Sequence, residues 1–130
     1  MMYQLDEVQF ENDIISLLKN NVIKNVVGSY PNGTVNFPLI VTSLTTSPSQ
    51  YDISKNIIRS RVSLTVSVWD ATKTSLVKTK QKIEQTLLGY GFTRLNPSNI
   101  IIDNTNEKYY FNEQFVINYD NMSNKFERSI

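Results

Sequence analysis

The chain has 130 residues, a formal net charge of +1 and neither cysteine nor histidine. Without thiols or imidazoles it has no disulfide, no cysteine nucleophile and no histidine general base or zinc ligand. Its near-zero charge gives no basic field that would attract a nucleic-acid backbone. The length predicts a single domain spanning residues 1–130.

Apolar runs in the sequence are short. The longest, such as Phe37–Val41 and Ile100–Ile102, are far below the roughly 20 residues that a transmembrane helix needs. Met1–Glu7 carries acidic side chains and lacks the basic and apolar regions of a signal peptide. The sequence therefore predicts a protein that does not span a membrane and that folds in a cytoplasm.

The first predicted element is an amphipathic helix over Leu5–Leu18. Its apolar residues recur at spacings of three, four and seven, with acidic residues in the early turns and Lys19 at the end. Asn20 and Asn21 are expected to stop it. The apolar stripe is more typical of a core-facing surface than of a docking helix.

The next segments predict a turn and a strand. Val22–Val27 is short and apolar, which fits either a strand or a connector, and Gly28–Gly33 is rich in turn-forming residues. Thr34–Leu44 is predicted as a strand. Pro38 lacks a backbone donor, so it is expected at a strand start, a bulge or an outer edge.

A long arm is predicted over Thr45–Ser60, where the sequence becomes polar and exceeds the length of a tight hairpin turn. Apolar residues at its end lie beside basic residues and need a cover. The arm could fold back on its own sheet or reach a neighbouring subunit, and the pattern favours neither. The candidate subunit-interface residues are Tyr51, Ile53, Lys55, Ile57, Ile58, Arg59 and Arg61.

The clearest unit is a strand followed by a helix over Arg61–Leu88. Polar residues alternate strictly with Val62, Leu64, Val66 and Val68, which predicts a strand with one buried face. Asp70 is expected as the helix N-cap. The apolar stripe of the helix consists of Leu76, Ile83, Leu87 and Tyr90, with Val77 and Leu88 at its edge. Gly89 and Gly91 are expected to end the helix.

The last third predicts turns and strands. Asn96–Asn99 is a turn, Asn99–Asp103 a short strand and Asn104–Glu107 another turn. Lys108–Tyr119 is a clear strand with aromatic residues alternating on one face, and we expect that face to be buried under a helix. Asn121–Ile130 is expected to be a flexible tail or an assembly contact.

These elements predict an α+β domain with an antiparallel or mixed sheet of about four to five strands, two flanking helices and a long hairpin arm. The residues of this domain also leave two functions open, nucleic-acid binding and catalysis. The aromatic strand at residues 108–119 could stack nucleic-acid bases. Glu113 or Asp70 could serve as a general base, but a lone carboxylate without a paired base or metal cluster is more typical of a surface group or a cap.

The layout resembles a known family. The run RVSLTVSVWDATKTSLVKTKQKIEQTLLGYGF joins an alternating strand ending in tryptophan to a helix ending in glycine, and the aromatic strand KYYFNEQFVINYD follows it. With the N-terminal helix, this order resembles the tail terminator (tail completion) proteins of long-tailed bacteriophages. Other phage head–tail connectors and tail-completion components have similar layouts.

The resemblance implies a structural protein of the virion, assembled in the host cytoplasm. It implies a homo-oligomeric ring, usually a hexamer, that caps the tail tube, stops its growth and joins it to the head connector. The implied partners are the tail tube protein and the neck proteins. The genome would pass through the ring without sequence-specific contact, and neither enzymatic activity nor a cofactor is implied.

Overall fold

The computed structural model describes residues 3–95 and 99–127. The predicted turn at Asn96–Asn99 and the end of the predicted tail at Asn121–Ile130 lie partly outside these residues. The elements in chain order are α1 (Glu7–Asn21), β1 (Val26–Val27), β2 (Leu39–Tyr51), β3 (Ile57–Asp70), α2 (Lys73–Tyr90), β4 (Thr93–Arg94), β5 (Ile101–Asp103), β6 (Lys108–Asp120) and β7 (Lys125–Glu127).

The strands form one mixed sheet, and the predicted α+β class is confirmed. The order is β1-β2-β3-β6-β4, and β5 and β7 also pair with β6. Among the strand pairs of the described residues, only β1 with β2 is parallel. The described residues form seven strands instead of four to five, and four of these are only two or three residues long. One of the short strands, β5, lies within the strand predicted at Asn99–Asp103.

The core lies between one face of the sheet and the two helices. Every second residue of β3 from Val62 to Val68 is fully buried, and so are Leu76, Ile83 and Leu87 of α2. All of them belong to one apolar cluster with residues of α1. The predicted packing of the alternating strand beneath the helix stripe is therefore confirmed.

Helix α1 packs on this core with an apolar stripe that is narrower than the sequence predicted. Asp6 caps its start by accepting a hydrogen bond from the Gln9 backbone N–H at 3.1 Å. Phe10, Ile14 and Leu18 are buried. Val8 is one of the apolar residues in the predicted helix, but it is 73% exposed.

The start of α2 differs from the prediction. The N-cap is Thr72, whose hydroxyl accepts a hydrogen bond from the Ser75 N–H at 3.2 Å, and not Asp70. Asp70 is the last residue of β3 and accepts from the N–H of Ala71. The chain needs two further residues to turn from the strand into the helix.

The end of α2 depends on one glycine. Gly91 has a φ of +128°, and a Cβ at this position would lie 3.3 Å from Ile117 Cδ1. Its N–H donates to the carbonyls of Leu87 and Leu88, which closes the helix. Gly89 lies inside the helix, and a Cβ there would meet no atom within 4 Å. The predicted glycine C-cap is therefore at Gly91.

The two glycines provide a matched pair of substitutions. We expect Gly91→Ala to lower the free energy of unfolding by about 1 kcal/mol or more, because alanine is strained at positive φ. Gly89→Ala should raise it by about 0.5–1 kcal/mol, because alanine costs less backbone entropy in a helix. Urea titrations of both variants measure the difference, and equal effects at the two positions would contradict the assigned helix end.

Some strand boundaries differ from the predicted ones. β2 begins directly after Pro38, so the strand-start option for this proline is correct, and the predicted strand at Thr34–Leu44 begins later and runs on to Tyr51. In the tail, Lys125–Glu127 pairs with β6 as β7. No helix in the described part of the chain is long and apolar enough to cross a membrane.

Candidate assembly interface

The predicted arm is a β-hairpin, formed by the end of β2 and the start of β3. Pairing continues from Ser47 opposite Arg61 to Tyr51 opposite Ile57, with irregular register on either side of Gln50. β6 pairs with β3 as far as Arg59, and no other strand of the described residues pairs with the last part of the hairpin. We call Tyr51–Ile57 the arm tip.

The tip is held by its own hydrogen bonds. The Asp52 carboxylate Oδ1 accepts from the backbone N–H groups of Ser54 at 2.9 Å and Asn56 at 2.8 Å. The Asp52 N–H donates to the Asn56 carbonyl, and the Lys55 N–H donates to the Asp52 carbonyl, both at 3.0 Å. The hydrogen bonds to the carboxylate, led by that from the Asn56 N–H, lower the pKa of Asp52. The turn is therefore preorganised although it is exposed.

This turn presents apolar side chains to solvent. Ile53 is fully exposed, Tyr51 is 55% exposed and Ile57 is 38% exposed. Lys55 is exposed in the same turn, with a φ of +65°. The three apolar side chains lie together on one hydrogen-bonded turn, which makes this turn a candidate contact surface.

The other three predicted interface residues lie elsewhere. Ile58 is partly buried, and its carbonyl accepts from the Asn121 N–H. The Arg59 guanidinium donates to Gln50 Oε1 at 3.1 Å and lies 3.7 Å from a Glu127 carboxylate oxygen. Arg61 alternates with buried Val62, so it lies on the face opposite the helices. The structure thus gathers Tyr51, Ile53, Lys55 and Ile57 but not Ile58, Arg59 or Arg61.

The base of the arm is fastened to both ends of the described chain. The Tyr3 N–H donates a hydrogen bond to the Asn121 carbonyl at 2.7 Å, and Asn121 Nδ2 donates to the Tyr3 carbonyl at 2.8 Å. Ser60 Oγ donates to Asn121 Oδ1 at 2.9 Å in a buried position. The arm therefore projects from a fixed base.

A groove of about 910 Å³ lies between this base and the start of α1. Its arm side includes Pro48 and Ile57, and its other side is the segment Tyr3–Val8. The acidic residues Asp6 and Glu7 line it, and no lysine or arginine is among its described lining residues. The groove is therefore partly apolar and carries negative charge. Sequence reasoning did not identify it.

The aromatic face of β6 is part of the core. Phe111, Phe115 and Tyr119 are fully buried in the cluster formed by the helices and the sheet. On the opposite face, Trp69 packs 4.8 Å from Tyr110, and its indole N–H donates to an Asp103 carboxylate oxygen at 2.8 Å. The buried ladder cannot stack bases, and the partly buried pair of Trp69 and Tyr110 lies beside the carboxylate of Asp103.

The two candidate general bases are both buried. Asp70 is 4% exposed, and Glu113 is inaccessible to solvent. Lys80 Nζ of α2 lies 3.3 Å from Glu113 Oε1 and 3.0 Å from Glu84 Oε1, and Arg94 Nη1 lies 2.9 Å from Glu84 Oε2. Burial first, and then the negative charge of Glu84, raise the pKa of Glu113 to about 7. In the described residues no group of three potential metal ligands occurs.

The Glu113 carboxyl should make stability depend on pH. The folded chain binds this proton more tightly than the unfolded chain, so the stabilisation is complete below the ordinary pKa of 4.5 and is lost as pH rises to about 7. We expect wild-type unfolding free energy to fall by on the order of 1–3 kcal/mol between about pH 5 and about pH 8. Glu113→Gln should remove most of this fall.

Denaturant titrations at the two pH values measure the effect. Glu7→Gln is the matched control, because it removes an exposed carboxylate from the same chain. It should leave the difference between the two pH values as in the wild type. If Glu113→Gln leaves the difference in unfolding free energy between the two pH values unchanged, Glu113 does not bind the proton that makes stability depend on pH.

The fold and the site define an α+β protein with a rigid, apolar-tipped hairpin arm and an acidic groove at its base. No protein-family model matches the chain, and the search of curated proteins finds no relative. Function is therefore inferred from the arm, the groove and the resemblance in layout.

Proposed function

We propose that the protein is a tail terminator of a long-tailed bacteriophage. In this role it forms a ring, expected to be hexameric, that caps the tail tube, ends its growth and joins it to the head connector. The ring subunits contact each other through the arm tip. The proposal assigns the protein to the virion and gives it a structural role without a cofactor.

The observation that carries the proposal is the arm tip. Ile53 is fully exposed on a turn that Asp52 holds rigid, beyond the point where β6 stops supporting the hairpin. An exposed, preorganised apolar turn loses little conformational entropy on association. This geometry favours contact with another protein over a loop that folds back on its own sheet.

The contact is expected to use side chains and not strand addition. The outer edge of β2 is obstructed, because the Glu11 carboxylate accepts a hydrogen bond from the Leu44 N–H and Pro48 has no N–H to offer. A neighbouring strand would have to displace the Glu11 carboxylate from Leu44 and could not accept a hydrogen bond from Pro48. Neither obstruction lies at the arm tip.

A rotationally symmetric tail tube also favours a ring. A cap can present one equivalent surface to each tube subunit only if it shares the rotational symmetry of the tube. Such a ring requires head-to-tail contacts, in which one surface of a subunit binds a different surface of the next. A single projecting arm is compatible with this arrangement.

Native mass spectrometry and negative-stain electron microscopy of the purified chain test the proposal. We expect closed rings of one copy number, in equilibrium with monomers and favoured at high protein concentration. Closed two-fold dimers or open filaments would contradict it. Filter binding at low and high salt separates the nucleic-acid alternative, for which affinity should be strong at low salt and fall steeply as salt rises.

A further inference from the structure

We propose that the acidic groove at the base of the arm is the receptor for the arm tip of a second copy of this chain. The inference rests on the proposed ring and names the surface that completes each contact. The tip supplies Ile53 and Lys55, and the groove supplies the segment Tyr3–Val8 with Pro48.

The tip cannot occupy the groove of its own subunit. Asn56 and Ile57 already line one end of the groove. Ile53, in the same turn, is fully exposed to solvent. The hydrogen bonds that the Ser54 and Asn56 N–H groups donate to Asp52, and the pairing of Tyr51 with Ile57, oppose bending of the hairpin back onto its own groove. An occupant of this kind must therefore come from another molecule.

The two surfaces match in size and polarity. The groove volume of about 910 Å³ lies near the upper end of the roughly 300–1,000 Å³ typical of binding pockets, and a hairpin turn is a compact occupant. Leu5 and Pro48 line it, and Val8 at its rim is 73% exposed. Docking would cover Ile53 and Val8 together, the most exposed large apolar side chains of the described residues.

The charges of the two surfaces are complementary. Asp6 and Glu7 give the groove two exposed carboxylates, whereas the tip carries the exposed ammonium of Lys55. The tip also carries the Asp52 carboxylate, which keeps its negative charge but faces the backbone N–H groups of its own turn. Lys55 is therefore the tip charge that pairs with the acidic wall at the edge of the apolar contact.

Disulfide trapping in the full-length chain tests the pairing, because the wild type contains no cysteine. Ile53→Cys and Val8→Cys are made as separate variants, mixed and oxidised, so that a mixed disulfide can form only between two copies. The control replaces Val8→Cys with Ile102→Cys, an exposed residue of β5 at the other end of the sheet. We expect the mixed disulfide to form at least several-fold faster with Val8→Cys than with the control.

Charge reversal gives an independent measurement on the same mixture. Lys55→Glu in the Ile53→Cys chain should lower the crosslinking rate several-fold, and Glu7→Lys in the Val8→Cys chain should restore it. Equal rates for Val8→Cys and the control, or no rescue by the reversed pair, would overturn the tip-in-groove contact. Rings that still form in that case would leave the proposed function standing, whereas trapped pairs that close as two-fold dimers would keep the contact and contradict the ring.

Discussion

Val66→Asp should unfold the domain. Val66 is fully buried at the centre of β3, between Thr42 of β2 and Glu113 of β6. A buried carboxylate without a partner costs several kcal/mol, which is comparable with the whole unfolding free energy of about 5–15 kcal/mol of a small domain. Here the new carboxylate would also face the existing one of Glu113, so the cost rises further.

Circular dichroism and thermal melting measure this effect. Thr65→Asp is the matched control, because the adjacent side chain lies on the opposite face of the same strand and is partly exposed. The control should fold and lose no more than about 1 kcal/mol through the low strand propensity of aspartate. A wild-type melting curve for Val66→Asp would mean that the buried and exposed faces of β3 have been reversed.

The double variant Tyr51→Ser and Ile53→Ser should abolish self-association without unfolding the monomer. Both side chains are exposed, so the core loses nothing. Each contact between copies would lose about 3 kcal/mol of apolar burial, which corresponds to roughly 100-fold in its dissociation constant. Every contact in a closed ring carries this loss, so rings should disappear at concentrations where the wild type forms them.

The control for the tip variant is Ile101→Ser with Ile102→Ser, which removes two exposed apolar residues from β5. Native mass spectrometry should show rings for this control and monomers for the tip variant, with equal circular dichroism spectra. Rings from the tip variant would show that the arm does not form the contact. Ile58 is unsuitable for this test because it is partly buried, and its replacement would also disturb the monomer.

The sequence predicted the central strand and helix well, because each buries one face and so shows a clear period. Val62 to Val68 alternate with polar residues, and Leu76, Ile83 and Leu87 follow the helical repeat. The arm was harder. Thr45–Gln50 has the composition of a loop, yet it forms a strand because β3 supplies a partner for its backbone along almost its whole length.

The proposed interface was only partly predictable. Tyr51 and Ile53 were identified from composition, but the groove is built from Tyr3–Val8, Pro48 and Asn121, which are distant in sequence. Val8 offered a signal that was missed, because at 3.6 residues per turn it lies about 200° from Phe10 on the helix. Strict helical geometry therefore separates Val8 from the buried stripe and marks it as exposed.

The buried carboxylate illustrates a different limit. Alternation along β6 places Glu113 on the same face as Phe111 and Phe115, but a glutamate at such a position is normally taken as exposed. Its burial is tolerated because Lys80 approaches from α2 and offsets part of its charge. That pairing depends on how the helix packs on the sheet, which no local pattern reveals.

Tail length measures most directly the proposed role of this protein, which is to end the growth of a phage tail tube. The gene is deleted from the phage that encodes it, and particles from infected cells are examined by electron microscopy with and without a plasmid copy. We predict tails of uncontrolled length that are not joined to heads, restored to one length by the wild-type gene and not by the tip variant. Tails of normal length joined to heads in the deletion would contradict the claim, and tails of normal length left unjoined would instead indicate another head–tail connector.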